Sequence, residues 1–138
     1  MTSEFPAPVR PLPIPTWEDE EFWSAASEHR LVLPQCRDCG HIWFPPYGVC
    51  PSCLSKDREW IRCSGKGTVV GVIVFHRQYI PAFMPPYHVA IVELEEGPRM
   101  CCNVMGFSEN SPLVGMDVEV AFEDVGDSIA LPQFRRRM

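Results

Sequence analysis

Cys36, Cys39, Cys50 and Cys53 form two C-x-x-C pairs a short loop apart. Thiolates at this spacing can take the four corners of a tetrahedron around one Zn²⁺. Gly40 directly follows the first pair, where a metal knuckle needs a positive φ so that backbone N–H groups turn toward the sulfurs. A catalytic zinc keeps one coordination position open, whereas four cysteines close the shell. The expected cofactor is therefore one structural Zn²⁺ per chain. His41 follows Cys39 by two residues and is expected to be a strand residue, not a ligand. Arg37, Lys56 and Arg58 lie close enough in sequence to offset the negative charge of such a centre.

Other reactive side chains form no such pattern. His29, His41, His76 and His88 are scattered, and no Ser–His–Asp order is suggested. Cys63 could meet His76 or His88 after folding, but a lone cysteine beside a glycine turn (Cys63-Ser64-Gly65) is more simply inert. The chain contains neither G-x-G-x-x-G nor G-x-x-x-x-G-K-[ST]. No catalytic residue is assigned. A self-sufficient enzyme using Cys63 or a histidine is the reading that turnover by the chain alone would favour.

The chain has 138 residues and a formal charge of −6. That balance opposes a protein that works by neutralising phosphates. A single-strand nucleic-acid-binding OB protein is the alternative from another class, with Arg135-Arg136-Arg137 as its only basic cluster. No signal peptide and no membrane-length apolar run are visible. The odd count of 7 cysteines fits a reducing compartment and metal ligation. The expected location is cytoplasmic, with no membrane and no nucleic acid as partner.

Three regions must position these groups. Residues 1–35 read as a Pro-rich arm and an amphipathic helix, 36–58 as a zinc ribbon, and 59–138 as an OB-fold barrel with a basic tail. Prolines at 6, 8, 11, 13 and 15 bar helix in the arm. Thr16 and Asp19 resemble a capping box, and the helix is expected from about Trp17 to His29. Leu31-Val32-Leu33 should enter the first knuckle, with His41-Ile42-Trp43-Phe44 as its return strand. Five barrel strands are expected: Gly67–Phe75 with a bend at Gly71, His88–Leu94, Arg99–Met105, Val118–Phe122 and Ile129–Phe134. Glu95-Glu96-Gly97-Pro98 reads as a solvated hairpin tip.

Two stretches carry more apolar surface than a small barrel can bury. The helix offers Trp17, Phe22 and Trp23. The loop after His76 offers Tyr79, Ile80, Phe83, Met84 and Tyr87. A connection this long and this apolar points to an interface or a ligand groove.

The order of motifs resembles a known family. It runs Glu28-His29-Arg30-Leu31, Cys36-x-x-Cys39-Gly40, Phe44-Pro45-Pro46, Cys50-Pro51-x-Cys53, Trp60 and Gly65-x-Gly67-x-Val69. It continues with Pro86-Tyr87-x-Val89-Ala90, Glu96-Gly97 and Val114-Gly115-Met116-x-Val118. This is similar to the acyl-CoA-associated zinc-ribbon/OB-fold family, long catalogued as a domain of unknown function. The resemblance implies a mainly β fold: an N-terminal helix, a rubredoxin-like zinc ribbon and a five-stranded OB-fold barrel. It implies a non-catalytic accessory subunit of an acyl-CoA-processing complex, beside a thiolase-superfamily subunit such as a steroid side-chain aldolase. Thiolase/HMG-CoA synthase and MaoC-type hydratase are the alternative partners, and acyl-CoA is expected at the subunit interface. The metal ligands carry over as Cys36, Cys39, Cys50 and Cys53. Trp17, Phe22, Trp23 and the 79–87 loop are the expected partner or CoA-passage surface.

Overall fold

The computed structural model describes residues 11–105, 112, 114–126 and 128–137. The expectation of an extended arm over residues 1–10 lies outside them, and residues 11–15 are non-helical and mostly exposed. One helix, α1 (Glu20–Ser27), and seven strands follow: β1 (Val32–Cys36), β2 (Arg58–Arg62), β3 (Lys66–Phe75), β4 (Tyr87–Leu94), β5 (Arg99–Met105), β6 (Asp117–Asp124) and β7 (Ala130–Arg136). No helix among the described residues is long and apolar enough to cross a membrane.

The helix is shorter than its sequence suggests. The Thr16–Asp19 pairing forms, with Asp19 Oδ1 accepting from the Thr16 N–H at 2.7 Å and from its hydroxyl at 3.2 Å. It closes a separate turn, so Trp17 precedes the helix. At the other end His29 takes a left-handed φ of 61°. Its N–H bonds Ala26 O while the Arg30 N–H reaches back to Ala25 O, a Schellman closure usually made by glycine. The His29 ring then stacks on Phe122 and meets Asp124 Oδ1 at 3.0 Å, which ties the helix end to β6.

The return strand is a second correction. His41–Phe44 forms only an isolated bridge, Ile42 to Gln35. The true partner of β1 is β2, antiparallel from Val32↔Arg62 to Cys36↔Arg58. The ribbon sheet thus joins residues on both sides of position 58/59. Pro45-Pro46 cuts the 41–44 segment too short to compete with a five-residue ladder.

The barrel closes in the order β3-β4-β5-β7-β6, with β6 returning to β3. This is the OB arrangement, including the parallel β5–β7 pairing. Strand β3 pairs with β6 over Lys66–Thr68 and with β4 over Gly67–Phe75, and its register shifts between Val69 and Gly71. The bulge at Gly71 provides the bend that lets one strand serve both neighbours. Val69, Val92, Met100, Val118 and Phe134 fill the interior, all at most 2% exposed. Phe22, Leu31 and Leu33 belong to the same cluster, so the helix and the ribbon strand β1 share the barrel's core.

Gly65 marks the entry to the barrel with φ +81°, and a Cβ there would lie 2.5 Å from Val120 Cγ1. Gly65→Ala is expected to destabilise the protein by about 2 kcal/mol or more through backbone strain and the Val120 clash together. Chemical denaturation checks this; an unchanged midpoint would contradict it.

Candidate metal centre and partner surface

The two cysteine pairs meet as their spacing requires. All four Sγ atoms lie within 4.8 Å of one another, with Cys36–Cys53 at 3.5 Å and Cys39–Cys50 at 3.6 Å. A tetrahedron with Zn–S bonds of about 2.3 Å has edges of about 3.8 Å, so the sulfur cage fits zinc. Cys36 and Cys50 are buried, while Cys39 and Cys53 face outward. The first knuckle closes with the Gly40 N–H on Cys36 O and a Gly40 φ of +81°. The second repeats it with the Leu54 N–H on Cys50 O. Leu54 there adopts φ 65°, a conformation leucine rarely accepts.

Backbone donors face the sulfurs. The Cys39 N–H donates to Cys36 Sγ and the Ser52 N–H to Cys50 Sγ, both at 3.4 Å. Burial opposes ionisation of Cys36, yet the N–H groups of Cys39 and Asp38 and the adjoining thiols lower its pKa to about 7. The Ser55 backbone favours the Cys53 thiolate, but the thiols crowded around it prevail and push it up to about 12. Four thiols packed this closely cannot all ionise without a cation, and zinc supplies that charge. The four cysteines form a structural zinc site. Among the described residues they are the only group of three or more potential ligands. His41 stays outside: its carbonyl accepts the Cys36 N–H and its ring stacks on Trp43. Arg37 pairs with Asp57 and Glu59, while Arg58 donates to Tyr47 O and lies over the Trp60 ring.

The expected partner residues separate by burial. Phe22 is 4% exposed and packs in the core, so it offers no surface. Trp23 is half-buried and meets Phe22 edge-on at 5.0 Å. Trp17 is 72% exposed and rests against Gly48, whose N–H donates to Glu18 Oε2 at 2.7 Å. In the β3–β4 loop, Tyr79, Ile80 and Met84 are exposed, whereas Phe83 and Tyr87, the first residue of β4, are half-buried. Phe75 holds this loop, stacking on Tyr87 at 5.1 Å and meeting Tyr79 edge-on at 6.0 Å.

Two grooves join these regions. One, of about 360 Å³, runs between α1, the Phe44-Pro45-Pro46 segment and strands β5 and β7, with Trp23 on its wall. The other, of about 570 Å³, is lined by Phe83, Met84 and Tyr87 of the loop. They share Asn103 and Gln133, so helix and loop border adjoining grooves. Asn103 Nδ2 donates to His88 O and Gln133 Nε2 to Glu123 Oε1. Neither residue stands out in sequence, because a lone amide on a strand carries no pattern.

Two remaining sequence features resolve differently. The tail arginines lie in or beside β7, where Arg135 pairs with Glu119 and Arg137 with Asp117. Arg135 and Arg137 are thus each paired with an acid of β6. Cys63 is 6% exposed; burial, and then the charge of Glu96, push its thiol up to about 12. A nucleophile needs its thiolate near neutral pH. Native Cys63 should therefore resist alkylation at pH 7 and react appreciably only as pH approaches 12. Cys63→Ala should leave turnover by any assembled complex within about twofold; a larger loss would reinstate Cys63 as a reacting group.

Comparison with known proteins agrees with this geometry. The rubredoxin-like zinc ribbon domain of ChsH2 matches residues 23–58, and the C-terminal OB-fold domain of ChsH2 matches residues 60–123. The chain belongs to the ChsH2 zinc-ribbon/OB-fold family. Within this family it is 37% identical over 136 residues to a probable enoyl-CoA hydratase alpha subunit of Thermomonospora curvata, covering 98% of this chain. The chain spans 42% of that relative's length. A DUF35 domain-containing scaffold protein of Methanocaldococcus jannaschii is 35% identical over 99 residues, 69% of each chain. Among solved structures, a chain of the Ltp2-ChsH2(DUF35) aldolase superposes with a TM-score of 0.80 at 35% identity, over 90% of this chain and 98% of that one.

Proposed function

We propose that this protein is a non-catalytic accessory subunit of an acyl-CoA-processing complex, seated on a thiolase-superfamily subunit that performs a retro-aldol cleavage in sterol side-chain degradation. The observation that carries this is the likeness to the chain in the Ltp2-ChsH2(DUF35) aldolase, which this chain covers almost end to end. The site supports it. The metal shell is closed, and Cys63 is held as a thiol. What remains is surface: Trp17, Trp23, Tyr79, Ile80, Phe83, Met84 and Tyr87 around two adjoining grooves. Such a surface fits a protein partner, with the acyl-CoA thioester passing where the two subunits meet.

A second reading follows from the relatives named as hydratase alpha subunits, one from Thermomonospora curvata and one, 31% identical, from Mycobacterium tuberculosis. In that reading the same surface receives a MaoC-type hydratase. Co-expression with each partner class decides between them. The expected result is a stable complex with the thiolase-type subunit, aldol cleavage of an acyl-CoA by the complex, and no turnover by this chain alone. Turnover by the isolated chain, or a complex with the hydratase only, would overturn the aldolase assignment.

A further inference from the structure

The β4–β5 turn carries Glu96, which in sequence is one of two acids at a hairpin tip. Its side chain does not extend into solvent. Glu96 Oε2 accepts the Ser64 N–H at 2.9 Å, across 32 residues of chain. Its other oxygen, Oε1, is buried without a hydrogen-bond partner. Cys63, which precedes Ser64 in the chain, is buried, and the charge of Glu96 contributes to holding it as a thiol.

Cys63-Ser64-Gly65 is the junction that leads from the ribbon sheet into the barrel. On the ribbon side the Cys63 N–H bonds Leu31 O, and on the barrel side Gly65 O accepts the Val120 N–H. Between these two anchors the Ser64 N–H has only Glu96 as its acceptor among the described residues. Nearby, a cavity of about 500 Å³ separates His41, Trp43 and Pro51 of the ribbon from Glu96, Gly97 and Pro98 of the turn. The two lobes are thus thinly packed on this side, and a single carboxylate spans to the junction.

We infer that Glu96 is the latch between ribbon and barrel: its carboxylate holds the Ser64 backbone through Oε2, next to the buried Cys63, which fixes the angle at which the ribbon leaves the barrel. The latch holds whichever partner the protein serves. A charged acceptor suits the role, because hydrogen bonds to ionised groups are stronger than neutral ones.

Two measurements test this on the zinc-loaded full chain. In the unaltered protein, the Ser64 amide should exchange with deuterium roughly tenfold or more slowly than an unprotected amide, although Ser64 is exposed. Unprotected exchange would overturn the latch, and this readout needs no variant. In Glu96→Ala, alkylation of Cys63 by N-ethylmaleimide, mapped by mass spectrometry, should accelerate roughly tenfold or more. Glu96→Gln removes the same charge but keeps an acceptor for Ser64, so its Cys63 should react clearly more slowly than that of Glu96→Ala, and zinc content should stay the same in both. Equal Cys63 labelling in wild type and Glu96→Ala would overturn the proposal. So would a Glu96→Gln variant as reactive as Glu96→Ala.

Discussion

A strong chelator is expected to unfold the ribbon and release the partner subunit while the barrel stays folded. The reason is the small core that the knuckles have of their own. Only Cys36, Trp43 and Cys50 are buried together there. Burying a tryptophan stabilises a fold by about 3–5 kcal/mol, whereas a structural zinc site contributes about 10–16 kcal/mol of apparent binding energy. The metal term dominates the knuckles, so its removal decides their fate. The barrel differs, since Val69, Val92, Met100, Val118 and Phe134 form a core that contains no metal ligand. Strand β1 remains partly anchored, because Leu31 and Leu33 belong to that core. The expected signature is a red shift of tryptophan emission as Trp43 is exposed. Proteolysis should appear in the 37–57 segment, with most of the strand signal retained in circular dichroism. Cys36→Ser should reproduce it without chelator. Unchanged emission together with unchanged partner binding would show that the metal does not hold the ribbon.

Replacing Phe83 and Met84 together by Asp is expected to abolish co-purification with a thiolase-type partner while zinc content and the strand signal stay constant. Met84 is 71% exposed, so a charge there costs the fold little. Phe83 is half-buried against Tyr87 at 6.3 Å between ring centroids, and its loss loosens only the loop. At an interface the same two charges would be buried without partners. A central apolar contact is worth about 2 kcal/mol or more, so the affinity should fall at least about 30-fold. Trp17→Ala separates the two halves of the surface: it should weaken binding without touching the loop, because Trp17 rests on Gly48. A partner that binds the double variant normally would move the interface elsewhere and leave the loop as a cover over the 570 Å³ groove.

Much of this was legible along the chain. The metal site needed only local chemistry: two C-x-x-C pairs, and a glycine where the knuckle turns to positive φ. The barrel strands followed from β-branched runs broken by turn residues, and Arg99–Met105 spans the residues its pattern predicts. The bend at Gly71 was equally local. The motif order supplied the family, and the ribbon and OB-fold matches agree with it.

Long-range pairing was not legible. A strand shows its pattern but not its partner: the nearest apolar segment to β1 is 41–44, yet its ladder is with 58–62. Aromatic residues at helical spacing do not say which faces inward. Phe22 enters the core while Trp17, in the turn before the helix, stays outside. An acidic hairpin tip does not announce that Glu96 turns back onto the Ser64 backbone. A run of arginines does not reveal that β6 carries the acids that pair with Arg135 and Arg137. The sequence by itself determined the zinc ligands, the barrel strands and the family, because each rests on neighbours within a few residues. Only the tertiary structure decided that helix and loop border adjoining grooves at Asn103 and Gln133. That juxtaposition depends on how β5 and β7 come together when the barrel closes, and no local pattern encodes it.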